Sequence, residues 1–153
     1  MTRAPAVRVS RVSLCRGRVT AGDVTRAARR AARERPGRLQ SVSVTFVTPR
    51  EIAALNRRYL GRRGRTDVIA FPLGGDGGRG TPRVGDVYIC PEVARASARR
   101  FGVTIREELL RLVVHGTLHC LGYEHPEGRT RERSPFFRRQ ERIVAALRRR
   151  RTG

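Results

Sequence analysis

The sequence predicts a single α+β domain of mixed, layered architecture, with a sheet of about four strands packed against about five helices. Three observations carry that prediction. Stretches of alternating apolar residues recur between stretches with apolar residues at helical spacing. Thr20, Thr48 and Thr104 each stand three residues before an acidic residue (Asp23, Glu51 and Glu107), the pattern that opens helices. A chain of 153 residues has room for one core and no second, and no repeat or linker divides it. The domain is therefore taken to span 1–153, ending in a basic tail at 148–153.

The elements follow in order. Val7 to Leu14 alternates as a strand, with a slip between Val9 and Val12 that suggests a bulge. From Thr20, Val24, Ala27, Ala28, Ala31 and Ala32 mark a helix that Pro36-Gly37 stops. Ser41 to Thr48 is the clearest strand, with Val42, Val44 and Phe46 on one face. It runs into Thr48-Pro49-Arg50-Glu51, a capping box with proline at the first helical position, and Ile52, Leu55 and Tyr59 form that helix's apolar stripe. Gly61 to Arg65 is a basic turn, and Thr66 to Pro72 a short extended run. Gly74 to Gly80 holds five glycines in seven residues and reads as a surface loop, since it lacks the GxxxxGK[ST] pattern of a phosphate cradle. Val84 to Cys90 is a further strand, followed by a helix from Pro91 to Phe101. Thr104 and Glu107 form another capping box ahead of Leu109, Leu110, Leu112 and Val113, on a helix that should end near Gly122. The last helix starts at Ser134-Pro135 and uses Phe136, Ile143, Val144 and Leu147.

Charge is the dominant global property. All 34 basic residues are arginine, against 13 acidic residues, for a net charge of +21. A bias toward arginine codons would replace lysine but would not remove acidic residues, so the excess points to a polyanionic partner. Nucleic acid is the first candidate, because neutralised phosphates release counterions. No long apolar run supports a membrane. The three cysteines, Cys15, Cys90 and Cys120, are far apart and odd in number. They read as reduced core residues of a cytoplasmic protein rather than a disulfide framework. Arginines interrupt the apolar residues of the N-terminus, which is no signal peptide.

The chemistry concentrates at the end of the long core helix. The chain's entire stock of three histidines, His115, His119 and His125, falls within eleven residues, spaced H-x3-H-x5-H. Positions i and i+4 share a helix face, so His115 and His119 converge. Gly122 can turn the chain back so that His125 meets them. Three imidazoles suit one Zn²⁺ and leave a fourth position open for water, as in catalytic sites. Cys120 lies about 100° round the helix from His119 and should point elsewhere. The spacing is that of the metzincin proteases, but their glutamate, the general base, is replaced by Gly116. Peptide hydrolysis by that route has lost its base.

These residues resemble the YbeY family of bacterial ribosomal-RNA maturation factors. The family pattern H-G-x-L-H-L-x-G-Y-D-H is matched by His115 to His125, with Cys120 and Glu124 as variations. T-[DN]-V-[LI]-S-F-P is matched by Thr66 to Pro72, G-D-[IL] by Gly85-Asp86-Val87, and the Leu-Asn pair by Leu55-Asn56. An arginine common in the family is Leu60 here, and Arg62, Arg63 or Arg65 could supply the charge. After the third histidine, where relatives carry acidic and methionine residues, this chain has Arg129, Arg131, Arg133, Arg138 and Arg139.

The resemblance implies a zinc-dependent, single-strand-specific endoribonuclease acting in 3′-end maturation of small-subunit (16S) ribosomal RNA and in ribosome quality control, with RNA and the small subunit as partners and no DNA specificity. His115, His119 and His125 would hold the metal, Arg62, Arg63 and Arg65 would bind RNA, and Asp86 is the candidate to move a proton. The competing role for Asp86 is to orient the turn after Gly85. Asp67 reads as a backbone-bonded residue at a strand start. Two rival functions stand beside the enzyme: a ribosome assembly factor with a structural zinc, and a zinc hydrolase of a small substrate, which would have no use for +21.

Overall fold

A computed structural model describes residues 2–74 and 83–149. The first strand, β1 (Ala6–Ser10), is shorter than the alternation suggested. Arg11 takes a left-handed conformation at φ 61°, and Val12–Cys15 form a 3₁₀ turn that tucks Cys15 into the core. The slip after Val9 therefore marks the end of the strand, not a bulge within it. Helix α1 (Ala21–Ala32) opens with both halves of the Thr20–Asp23 capping box formed and buries Val24, Ala27, Ala28, Ala31 and Ala32.

Strand β2 (Leu39–Phe46) is central. Helix α2 (Pro49–Leu60) carries the second complete capping box, Thr48–Glu51, and ends on Gly61 at φ 64°. Strands β3 (Val68–Leu73) and β4 (Arg83–Ile89) complete the sheet in the order β1-β2-β4-β3, with β3 antiparallel to β4 and the other pairs parallel. Of the glycine-rich stretch expected as a loop, all but Gly74 lies outside the described residues. Helices α3 (Pro91–Phe101), α4 (Ile105–Cys120) and α5 (Pro135–Arg149) follow. Arg148 and Arg149 thus belong to α5 rather than to a tail. Arg148 Nε donates to Glu107, which ties the last turn of α5 to the first turn of α4.

A large and a small apolar core flank the sheet. On one face Val42, Val44, Val87 and Ile89 meet α1 and α4 in the main core. On the other, α2 sets Ile52 and Leu55 against Ile69, Phe71 and Tyr88. The contact between α4 and β4 is unusually close. A Cβ on Gly116 would lie 2.5 Å from Val87 Cγ1, and one on Gly85 would lie 2.7 Å from Cys120 Sγ. Helix positions four apart and strand positions two apart both step by about 6 Å, so the two glycine contacts form one reciprocal pair. Helix α4 is buried on nearly every side from Glu108 to Leu118, which makes it the central rod of the domain. Its capping box forms by half only. Thr104 Oγ1 accepts from Glu107 N at 3.1 Å, but the Glu107 carboxylate is drawn to Arg111 and Arg148 instead of back to the cap.

Candidate metal centre

The site begins with a helix that must stop. After Cys120, Gly122 takes φ +98°, where an L side chain would be strained, and Tyr123 N donates to Leu118 O at 3.1 Å. That reversal is the expected glycine-dependent turn. It brings His125 back so that its ring centroid lies 5.2 Å from that of His115 and 4.9 Å from that of His119. His115 and His119, one turn apart, are 4.7 Å apart by the same measure. One nitrogen from each of the three lies within 4.8 Å of the other two. Small adjustments close such a set around a divalent ion.

The state of the imidazoles suits a metal. Burial, followed by the nearby charge site at His119, lowers the His115 pKa to about 3. Burial and then His125 lower that of His119. Both are neutral at physiological pH, with a lone pair to offer. His125 Nδ1 lies 3.0 Å from the Pro126 carbonyl, which only accepts, so that nitrogen carries the proton and Nε2 is left for a metal. Phe136, at the start of α5, stands 4.7–5.1 Å by ring centroid from all three histidines and forms an apolar floor. The sequence showed Phe136 only as one apolar position of a helix. Gln140, one turn further on, bonds His115 and is buried. A lone glutamine on the buried face of an arginine-rich helix was the available signal for it.

The other candidates divide. Cys120 faces the sheet, against Gly85 and the Phe71 carbonyl, and burial pushes its thiol up to about 12, so it is no fourth ligand. Gly85 and Val87 touch α4, and strand alternation sends Asp86 to the opposite face, where its carboxylate accepts from Tyr88 Oη at 2.7 Å. The structure does not bring it to the histidines. The Asp67 carboxylate is held by the backbone N–H groups of Asp67 and Val68, and the main-chain carbonyl of Asp67 accepts from Cys90 N at 2.9 Å. It also lines a cavity of about 360 Å³ beside His115, with Glu108, Arg111, Arg131 and Gln140. Burial pushes the pKa of both Asp67 and Glu108 up, and Arg131 works against that shift at Asp67.

Arg62, Arg63 and Arg65 are exposed on the turn after α2. The turn is held by buried Asn56, whose Nδ2 donates to Gly64 O at 3.2 Å. Arg62 pairs with Glu127 at 3.1 Å, so the basic turn borders the loop that delivers His125. Tyr59 and Leu60 are exposed beside it. A larger groove of about 710 Å³ along α1, lined by Arg26, Arg29, Arg30 and Arg33, involves none of the histidines. No helix among the described residues is long and apolar enough to cross a membrane.

Fold and site together define the class: a mixed-sheet α+β domain with a candidate three-histidine metal centre at the end of its central helix. A family model described as endoribonuclease YbeY matches residues 18–148, and the chain belongs to the YbeY family. Curated proteins named endoribonuclease YbeY are similar to it. One from Aquifex aeolicus is 40% identical over 103 residues, 67% of each chain. One from Salinispora tropica is 39% identical over 121 residues, 72% of this chain and 76% of the relative. One from Bifidobacterium animalis is 39% identical over 100 residues, 62% of this chain and 55% of the relative. Among solved structures, a Thermotoga maritima protein determined in solution is 27% identical at a TM-score of 0.60, covering 92% of this chain and 88% of that one.

Proposed function

We propose that this chain is a metal-dependent endoribonuclease that cleaves single-stranded RNA, with one Zn²⁺ held by His115, His119 and His125. The observation that carries the reading is the convergence of three imidazoles, two held neutral by burial, in a family named for RNA cleavage. A metal bound there supplies a Lewis acid for a phosphoryl oxygen and a water of lowered pKa. The chain's own residues bind and orient the substrate. Arg131 places its charge close enough to affect both His115 and His119. Arg62, Arg63 and Arg65 extend the positive surface and hold the phosphates on either side of the scissile bond. Exposed Tyr59, with the Arg58 guanidinium 5.4 Å from its ring centre, offers a stacking face for a base. Gly116 and Asp86 take no proton at this centre. The biological substrate we infer is the 3′ end of small-subunit ribosomal RNA, in a cytoplasmic protein that works with the small ribosomal subunit.

The test is metal analysis of purified protein followed by incubation with single-stranded and duplex RNA, with and without chelator. We expect about one zinc per chain and cleavage of single strands alone. His119→Ala should lose most of both. Zinc retained without cleavage of any RNA would favour an assembly factor with a structural metal. Full metal content in His119→Ala would overturn the site itself.

A further inference from the structure

His115 is the most buried of the three ligands, and what surrounds it dictates which nitrogen it can offer. Its Nδ1 lies 2.7 Å from Oε1 of Gln140. A glutamine amide presents oxygen on one side and nitrogen on the other, so its direction is set by its second contact. Gln140 Nε2 lies 3.0 Å from Glu141 Oε2. An ionised carboxylate only accepts, so the amide must turn its NH₂ toward Glu141.

Glu141 is held in turn. Arg111 Nε donates to Glu141 Oε2 at 2.9 Å and Arg111 Nη2 to Oε1 at 2.9 Å, a two-pronged clamp. Burial opposes charge on Glu141, but its hydrogen bonds with Arg111 win and keep its pKa below the ordinary value. Arg111 cannot swing away, because it also donates to Glu108 at 3.0 Å and Glu107 at 3.1 Å. Every link of this chain has one permitted direction. A guanidinium only donates and a carboxylate only accepts. The amide therefore shows its oxygen to His115, and Nδ1 of His115 must carry the proton. The lone pair on Nε2 then points away from Gln140, to the side where His119 and His125 stand.

We propose that Gln140 is the positioning residue of the metal centre: it fixes the tautomer and ring orientation of His115 for metal binding, and the Arg111–Glu141 pair fixes Gln140. The proposal rests on the three-histidine reading above and deepens it. A glutamine that merely docked α5 on α4 would need no particular amide direction. This one is buried at 4% exposure, with both amide atoms engaged by groups that admit one arrangement.

The test compares zinc-loaded wild-type protein with Gln140→Leu and Gln140→Glu. Leucine removes the acceptor, whereas the new carboxyl keeps it. Zinc affinity is read by competition with a chromophoric chelator, and the His115 Nδ1–H by proton–nitrogen correlation spectra. Gln140→Leu should bind zinc about 10–100-fold more weakly, the range for lost partners of metal-bound histidines. Its Nδ1–H signal should be lost to solvent exchange. Gln140→Glu, with its carboxyl protonated toward Glu141 and its carbonyl oxygen toward His115, should restore the signal and most of the affinity. If Gln140→Leu fails to fold, Glu141→Gln serves: its amide can face either way, so Gln140 is released and the Nδ1–H signal should weaken. Zinc affinity within twofold of wild type in Gln140→Leu, or in Glu141→Gln where that replaces it, overturns the proposal, as does a persistent Nδ1–H signal. A His119→Ala variant that still binds zinc fully would instead overturn the metal centre.

Discussion

Gly116 is where the catalytic glutamate of metzincins would stand, and the structure gives a packing reason for its absence. An added Cβ would lie 2.5 Å from Val87 Cγ1, 3.1 Å from Cγ2 and 3.4 Å from Cβ. Carbon atoms rest at about 3.5–4.0 Å, so the nearest contact is short by about 1 Å. Val87 cannot yield easily: it is fully buried and paired in register with Val44 on one side and Ala70 on the other. Either α4 moves off the sheet or β4 bends. Overpacking of this kind costs about 1–3 kcal/mol, and the better helix propensity of alanine returns at most about 1 kcal/mol. Gly116→Ala should therefore lose up to about 2 kcal/mol net in denaturant unfolding at fixed free zinc. It should also weaken zinc binding, since α4 carries two of the three ligands. Val87→Ala in the same background vacates the contact, so the double variant should recover at least about 1 kcal/mol relative to additivity. A Gly116→Ala variant more stable than wild type, as propensity alone predicts, would refute the packing account. So would strict additivity.

Three further outcomes are expected. The Asp23–Arg106 pair, at 2.7 Å with side-chain exposures of 14% and 25%, holds the Asp23 pKa below its ordinary 3.8, first through the Arg106 hydrogen bond. Its contribution, about 1.5–3 kcal/mol for a bond between charged groups, is complete above about pH 5 and is lost as pH falls below that. The stability gap between wild type and Asp23→Asn should stay constant from neutral pH to about pH 5 and then narrow; a gap independent of pH would contradict this. Replacing Arg62, Arg63 and Arg65 with glutamine should reduce the salt slope of single-stranded RNA binding by about 1–2, at roughly 0.7 per phosphate, and an unchanged slope would remove these residues from the RNA path. The Asp86 hydrogen bond, followed by burial, pushes the Tyr88 hydroxyl up to about 12. Asp86→Asn should shift its titration to lower pH in ultraviolet difference spectra and leave zinc content and RNA cleavage unchanged, whereas slower cleavage would return Asp86 to the reaction.

What could be read from the sequence was local. The capping boxes at Thr20 and Thr48, the stop at Gly61 and the reversal at Gly122 depend on residues within a few positions of one another, and all four stand. The histidine cluster was legible for the same reason, since helix periodicity and one glycine bring its members together. The position of Asp86 was not legible, because its motif gives the neighbours but not the face, and a one-residue step along a strand reverses the side. Which face meets α4 is decided by Gly85 and Val87 packing against Cys120 and Gly116, some thirty residues away in sequence. The sequence also does not show that Arg11, left-handed at the end of β1, reaches across to Glu51 with Nη1 at 2.6 Å. Phe136 and Gln140 join the site only because α5 returns across α4, which no spacing in their own helix reveals.

The electrostatics of the centre bear on its substrate. Along one seam of α4, Glu108 and Arg111 are followed by His115 and His119 at helical spacing, with α5 opposite. In the first half of the seam charge is matched, with Arg111 set among Glu107, Glu108 and Glu141. At the histidines the matching loosens, with Asp67 and Glu132 lining the cavity beside His115 together with Arg131. The carboxylate of Glu124 comes only to 3.7 Å of His119 Nδ1 and is largely exposed, while Arg131 adds positive potential. Neutral imidazoles do not offset the charge of a divalent ion, so loading the site raises a potential already positive from Arg131 and the chain's +21. Structural zinc sites commonly avoid that imbalance with thiolates, and the three cysteines here are buried apart from the centre. An anion at the open side of the triad would meet that balance from outside. A phosphodiester brings that charge, and a cleavage transition state concentrates more of it on the phosphoryl oxygens, where a metal and arginines stabilise it most. The unbalanced charge of the centre therefore supports RNA as the substrate more strongly than a neutral peptide or amide.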